Sequence, residues 1–311
     1  MIQAKGEPEI ILSICIPTFN RSECLLKNLT RLLPEITTDM EIVISDNNSD
    51  DNTPYVVDKF IRDNSQECSI RFMRQKENVG FDKNVAAVVD YARGKYCWLL
   101  GDDDYLKKGC IQQIINLIKS NNLTFIMTNY SWMVSTNGTL SPPQINGHNQ
   151  PALFFDNFSK FFFYSSKNSY FYYLGMNILF MSTCIVKKNI WLESFTEVKD
   201  YLGIHCIHVF TIINMLMKEP AICFVTDPLI EGTLSNRRVG WGGRLFWLKF
   251  MDHLCSFLTI CEIEPRQVFQ IRKRGVTGLN WRQRIFHYIT RIPGGIFMQK
   301  IIIYILYFLG L

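Results

Sequence analysis

Four short apolar runs, each closed by a cluster of polar turn residues, recur between residues 10 and 104 and limit the folds open to this chain. They are 10–17, 40–45, 70–74 and 96–100. Between the first two, Leu25, Leu26, Leu29, Leu32 and Leu33 fall at helical spacing over 22–33, and Pro34 closes the segment. Residues 54–62 read as a second helix, and 82–92 as a third, amphipathic one ended by Gly94. Strands alternating with helices at this spacing predict an α/β fold, a mostly parallel sheet joined by crossover helices. Such sheets bind ligands beyond the carboxyl ends of their strands. Thr18 and Asn20, Asp46, Asn78, and Asp102 to Asp104 all follow a strand, so four separate segments bring polar groups to one edge.

The remainder is less regular. Residues 124–134 predict a strand, 135–150 a loop, 177–186 a strand, 201–217 a helix, 221–226 a strand and 245–260 a helix. The aromatic block over 154–173 suits a core or a surface near lipid. The glycines of Gly240-Trp241-Gly242-Gly243 break the chain around a single indole.

At 311 residues, with 48% hydrophobic and 20% charged, the chain is too apolar to be disordered and suits one large domain or a domain with an appendage. Ten cysteines without a C-x-x-C pair suggest reduced structural thiols and a cytoplasmic protein. Residues 1–8 are polar, so no signal peptide is expected. The net charge of +5 is unevenly placed: after Glu264 only basic charges follow, from Arg266 to Arg291 and Lys300. Residues 296–311 are nearly all apolar, and their uninterrupted part, 301–311, falls short of the roughly 20 residues that a bilayer span needs. Basic then apolar, this end reads as an interfacial membrane anchor, not a nucleic-acid-binding surface.

Three adjacent carboxylates after a buried strand repel one another unless a cation neutralises them, and hard oxygen ligands suit Mg²⁺ or Mn²⁺. The same run also suits a solvated acidic turn. Asp46 can accept hydrogen bonds from a ribose or base, or belong to an ordinary turn over 46–52. Pro17-Thr18-Phe19-Asn20-Arg21 can hold a nucleotide, with Arg21 on phosphate, while Asn20 or Ser22 caps the following helix.

Taken in order, Ser13-Ile14-Cys15-Ile16-Pro17-Thr18-Phe19-Asn20-Arg21, Ile44-Ser45-Asp46-Asn47-Asn48-Ser49-Asp50-Asp51, Glu77-Asn78-Val79-Gly80 and Leu99-Leu100-Gly101-Asp102-Asp103-Asp104 resemble the family 2 glycosyltransferases of GT-A fold. The Gly-Asp-Asp-Asp form is similar to the branch that includes abequosyltransferases and related O-antigen sugar transferases. The resemblance implies an inverting transferase using a nucleotide-diphosphate sugar and a divalent metal, Mn²⁺ or Mg²⁺. It implies that Pro17, Thr18, Asn20, Arg21, Asp46, Asn78, Gly80 and Asp102 bind the nucleotide sugar. Asp103 and Asp104 would serve the metal, with Gly101 standing where the family's D-x-D has its first Asp. The family's base is a carboxylate near the start of a later helix, and Asp200, His205 and His208 lie close to that place. Trp241 would face the acceptor.

The expected organisation is a GT-A domain over 1–235, nucleotide-sugar binding in 1–110 and acceptor side in 111–235, followed by a helical, membrane-associating region over 236–311. The expected partners are a nucleotide-diphosphate sugar, a polyprenyl-diphosphate-linked oligosaccharide and the cytoplasmic face of the inner membrane, with the protein peripheral to it. Two other readings are a sugar nucleotidyltransferase, which usually carries a glycine-rich phosphate loop that 17–21 lacks, and a non-catalytic sugar-binding membrane protein.

Overall fold

The computed structural model describes residues 9–64, 69–134, 138–140, 150–164, 174–233 and 244–277. The chain divides into two compact units, Met1–Arg238 and Val239–Leu311.

The first unit is built on one mixed sheet. Strand β1 (Leu12–Thr18) leads to helix α1 (Ser22–Leu32), β2 (Met40–Asp46), α2 (Thr53–Asn64), β3 (Ser69–Arg74), α3 (Phe81–Tyr91) and β4 (Tyr96–Leu99). These four strands are parallel and lie in the order β3-β2-β1-β4. Every residue of β1, β2 and β4 is buried. That is the reason these strands read as unbroken apolar runs, with no alternation of faces. The chain then adds β5 (Tyr105–Leu106), α4 (Cys110–Ser120), β6 (Phe125–Val134), β7 (Gly138–Leu140), β8 (Ala152–Phe155), α5 (Phe158–Phe162), β9 (Cys184–Lys187), α6 (Lys188–Glu197), α7 (Ile207–Lys218) and β10 (Ile222–Thr233). Past β4 the order continues β9-β6-β10-β5. There β9 runs antiparallel to both β4 and β6, while β6 and β10 are parallel. The expected parallel half is therefore joined to a mixed half.

Chain order reverses between β1 and β4, the kind of switch point that leaves a crevice beyond the strand ends. On one face, Leu25 and Leu29 of α1, Val57 of α2, and Ile111 and Ile114 of α4 pack with Ile14, Ile42 and Trp98 of the strands.

Local expectations change in four places, the first being the loop expected over 135–150, within which Gly138–Leu140 is strand β7. Residues 177–183, most of the strand expected over 177–186, lie instead in two short 3₁₀ turns, Leu174–Leu179 and Met181–Thr183, and only Cys184–Lys187 pairs in the sheet. The helix expected from Tyr201 starts at Ile207, after a 3₁₀ turn at Lys199–Tyr201 and a loop. Neither Asn20 nor Ser22 caps α1: the backbone N–H of Ser22 donates to Asp51 at 3.1 Å, while Asn20 accepts from the N–H of Asp50 at 2.8 Å. Of the aromatic block, Phe158, Phe161 and Phe162 are core residues and Phe154 is exposed; residues 165–173 lie outside the described residues.

The second unit contains α8 (Arg244–Ile260) and α9 (Pro265–Thr277), joined by a turn in which Glu262 is left-handed, φ 58°. Pro265 opens α9, where its missing N–H costs nothing. Among the described residues no helix is long and apolar enough to cross a membrane. The apolar 296–311 segment lies outside them.

Candidate active site

Four loops meet at the carboxyl ends of β1 to β4. The loop after β1 and the loop after β4 join across the switch point, where Thr18 Oγ1 donates to Asp102 Oδ2 at 2.7 Å. Arg21 Nη1 donates to Asp103 Oδ2 at 2.9 Å, and its Nε lies 3.8 Å from Asp102 Oδ1. The loop after β2 joins the first through Asn20, whose N–H donates to Ser49 Oγ at 2.8 Å, and through Asn47, whose N–H donates to the carbonyl of Thr18 at 2.9 Å. It joins the loop after β3 through Asn47 again: its amide donates to Asn78 Oδ1 at 2.9 Å and accepts from the N–H of Val79 at 2.9 Å. Asn78 Oδ1 also accepts from Gly80 N–H at 3.0 Å, fixing a turn in which Gly80 takes φ 83°.

These residues divide into support and surface. Pro17, Thr18, Asp46, Asn47, Asp102 and Asp104 are buried; Asn20 and Asn78 are exposed, and Arg21 and Asp103 are half-buried and face each other. Asp46 accepts from both the N–H and the hydroxyl of Ser49 and pairs with Arg74 Nε at 3.3 Å. Arg74 reaches the surface and also donates to the Ser49 carbonyl at 2.8 Å. The carboxylate expected to touch a base or ribose is itself buried, and the guanidinium paired with it is what reaches the surface. Arg74 escaped the sequence reading because it closes an ordinary strand.

The acidic run is split among three partners. Asp102 is held by Thr18, Asp103 by Arg21, and Asp104 turns inward to accept from Ser182 Oγ. Ser182 Oγ also accepts from the N–H of Gly101 at 2.9 Å. A Cβ at Gly101 would stand 2.6 Å from Asp104 Oδ2 and 3.3 Å from Ser182 Oγ. Asp104 and Ser182 thus occupy the space that a side chain at Gly101 would need. Ser182 was not singled out from sequence because it comes 78 residues after Asp104.

Burial pushes the Asp102 carboxyl up to about 7; Arg21 pulls it down and Asp103 pushes it back up. The oxygens of Asp102 and Asp103 are hard donors of the kind a divalent cation takes. Among the described residues, however, no three His, Cys, Asp or Glu side chains gather as a ligand set. Asp103, half-buried beside Arg21, is the member placed to hold such an ion together with oxygens from a ligand. Asp104, expected to share it, is instead buried against Ser182.

The three base candidates are separated. Asp200 is exposed in the 3₁₀ turn, His205 is exposed in the loop before α7 with φ 60°, and His208 is wholly buried in the first turn of α7. Neither ring nitrogen of His208 has a hydrogen-bond partner of good geometry, although the backbone of Leu179 and Ile178 lies close enough to act on the ring. Burial pushes its pKa down to about 4 against the pull of Asp82. A neutral imidazole sealed in this way cannot reach an acceptor hydroxyl. Asp82, in the first turn of α3, accepts from the backbone N–H groups of Gly203, His205 and Ile207 at 2.7, 2.9 and 3.1 Å. Sequence gave no sign of this, since a first-turn acid usually serves its own helix. Trp241 lies outside the described residues.

Comparison with known proteins places this geometry. A model described as glycosyl transferase family 2 matches residues 13–183. Abequosyltransferase RfbV of Salmonella typhimurium is 27% identical over 226 residues, 71% of this chain and 66% of that protein. The GalNAc(5)-diNAcBac-PP-undecaprenol beta-1,3-glucosyltransferase of Campylobacter jejuni is 33% identical over 104 residues, 33% of each. The chain therefore spans between about a third and two thirds of the length of these relatives. Crystalline S. aureus TarS 1-349 in complex with UDP-GlcNAc superposes with a TM-score of 0.63 at 16% identity, over 90% of this chain and 79% of that one. The mannosyltransferase PcManGT from Pyrobaculum calidifontis, in complex with GDP-Man and Mn²⁺, gives a TM-score of 0.55 at 12% identity, over 96% of this chain and 80% of that one. At those identities the two structures speak to the fold. The family match covers more than half of the 311 residues and holds the whole parallel rim and Ser182, so this chain belongs to glycosyl transferase family 2 and has the GT-A fold.

Proposed function

We propose that the protein transfers a sugar, with inversion, from a nucleotide-diphosphate sugar to a polyprenyl-diphosphate-linked oligosaccharide, as in O-antigen assembly. The observation that carries this reading is the joining of four loops at one rim, where Arg21 and Asp103 face each other above a buried, hydrogen-bonded layer. Thr18, Asn20, Asp46, Asn78 and Gly80 shape the nucleoside end, with Arg74 as its surface-reaching cation. Arg21 binds diphosphate oxygens. Mn²⁺ or Mg²⁺ held at Asp103 would supply charge neutralisation for the departing diphosphate. His205, exposed and fixed at its backbone beside α7, takes the proton from the acceptor hydroxyl as that oxygen attacks the anomeric carbon. Asp200 is the exposed alternative.

The named relatives from Salmonella and Campylobacter support the substrate classes, since one is an abequosyltransferase and the other acts on an undecaprenol-linked acceptor. The basic and apolar character of residues 266–311 supports a peripheral place on the cytoplasmic face of the inner membrane, and Trp241 is assigned to the acceptor. In this reading residues 1–235 carry the chemistry and 236–311 the membrane contact.

Transfer is tested by incubating UDP-, GDP-, CDP- and dTDP-sugars with a polyprenyl-diphosphate-linked acceptor and Mn²⁺. One donor class should be consumed; consumption of none contradicts the proposal. Removing residues 291–311 should move the protein from the membrane to the soluble fraction, and unchanged membrane recovery contradicts the anchor.

A further inference from the structure

We infer that Asp82 is a positioning residue that ties the donor rim to the loop carrying the acceptor-side base. The inference rests on the functional reading above. Asp82 is 3% exposed, yet it is a carboxylate. Burying such a group is costly unless hydrogen bonds replace its water. Here the replacements are three backbone N–H groups at alternate positions, Gly203, His205 and Ile207. Gly203 and His205 both have positive φ, 91° and 60°. A left-handed non-glycine residue persists where its surroundings over-determine it. The three amides converge on one carboxylate supplied by another element.

Ile207 is also the first residue of α7, and its N-cap, Cys206, makes no side-chain cap bond. Asp82 therefore supplies from α3 the cap that α7 lacks locally. On its own element, Asp82 stands two residues after Gly80, at the end of the turn that Asn78 fixes. A five-residue stretch, Asn78–Asp82, thus meets the donor rim at one end and holds the backbone of His205 at the other. A shift of the rim moves the imidazole with it, and displacements near 1 Å at a reacting group cost about 100-fold in rate.

The test uses the full chain and the variants Asp82→Asn and Gly203→Ala. Asparagine keeps the shape but loses the charge that three donors share. An alanine Cβ at Gly203 meets nothing within 4 Å, so the second variant strains only the backbone at φ 91°. It reads the same loop if Asp82→Asn fails to fold. Amide exchange over 203–207 should quicken, and kcat should fall roughly 10- to 100-fold, while donor KM and nucleotide affinity stay unchanged. Unchanged exchange, or quickened exchange with full kcat, overturns the inference. So does a joint loss of kcat, donor affinity and Tm, which marks a merely structural role. A wild-type enzyme inert toward every donor overturns the functional reading and this inference together; an active one with undiminished variants overturns this inference alone.

Discussion

Arg21 and Asp103 lie on loops 82 residues apart and meet at 2.9 Å, so the segment after β1 neutralises part of the acidic run after β4. Nearby, Thr18 hydrogen-bonds Asp102 at 2.7 Å. Charge and packing are coupled here, and single substitutions should separate them.

Arg21→Gln removes a half-buried cation from beside Asp102 and Asp103. Nucleoside diphosphate should bind roughly 10-fold more weakly, the loss of one charge-assisted contact. Calorimetric titration of the variant checks this; full affinity would place the diphosphate elsewhere.

Gly101→Ala drives a Cβ into Asp104 Oδ2 and toward Ser182 Oγ. Stability should fall by about 1–3 kcal/mol, the cost of overpacking. In the Ser182→Ala background, where Asp104 can move, the same change should cost less. Chemical denaturation of the four proteins decides it, and equal costs in both backgrounds would refute the packing account.

His208 gives a pH signature. Its folded pKa of about 4 lies below the ordinary 6.5, so the unfolded chain takes up the proton first. Stability is complete above 6.5, declines as pH falls toward 4 and loses nothing further from this group below that. Between pH 7.5 and 5 the loss from this residue is about 2 kcal/mol. His208→Leu should flatten that part of the profile, as followed by Tm against pH; parallel profiles for the two proteins would contradict it.

Asp46→Asn leaves Arg74 and Ser49 without their buried anion. A stability loss of about 1–3 kcal/mol is expected, since Ser49 loses its charged acceptor while the exposed Arg74 can turn to water, with weaker nucleotide binding. Retained stability in thermal melts would mean that Arg74 finds another partner.

The first half of the molecule was legible because β1, β2 and β4 are apolar runs of strand length, and α1 and α3 show one-faced periodicity between them. Local signals suffice when each element is short and its ends carry turn residues. The same signals misread 177–183, since a run buried over most of its length has no polar face to show its period. There Gly175 lies so near Phe162 that a Cβ would stand 2.3 Å from the ring, a contact that no local pattern announces. Helices α4 and α6 were passed over, α4 although its Ile111, Ile114, Ile115 and Ile118 all face the core. At the rim, Thr18, Arg21, Asp46, Asn78 and Asp103 stood out in the sequence because they lie at or within four residues of strand ends. Arg74, Asp82 and Ser182 were invisible because their partners come from distant elements and their own neighbourhoods look ordinary. His208 lies close in sequence to the place of the family's base but is buried, and helical position alone does not tell a buried face from an exposed one.

The most direct test is a titration of UDP, GDP, CDP and dTDP into the full-length protein, with and without Mn²⁺, repeated with Asp103→Asn. One nucleotide should bind only when the cation is present, and the variant should lose at least about 10-fold in affinity while melting no lower than wild type. Cation-independent binding that Asp103→Asn leaves intact would show that the rim does not hold a diphosphate in the way described.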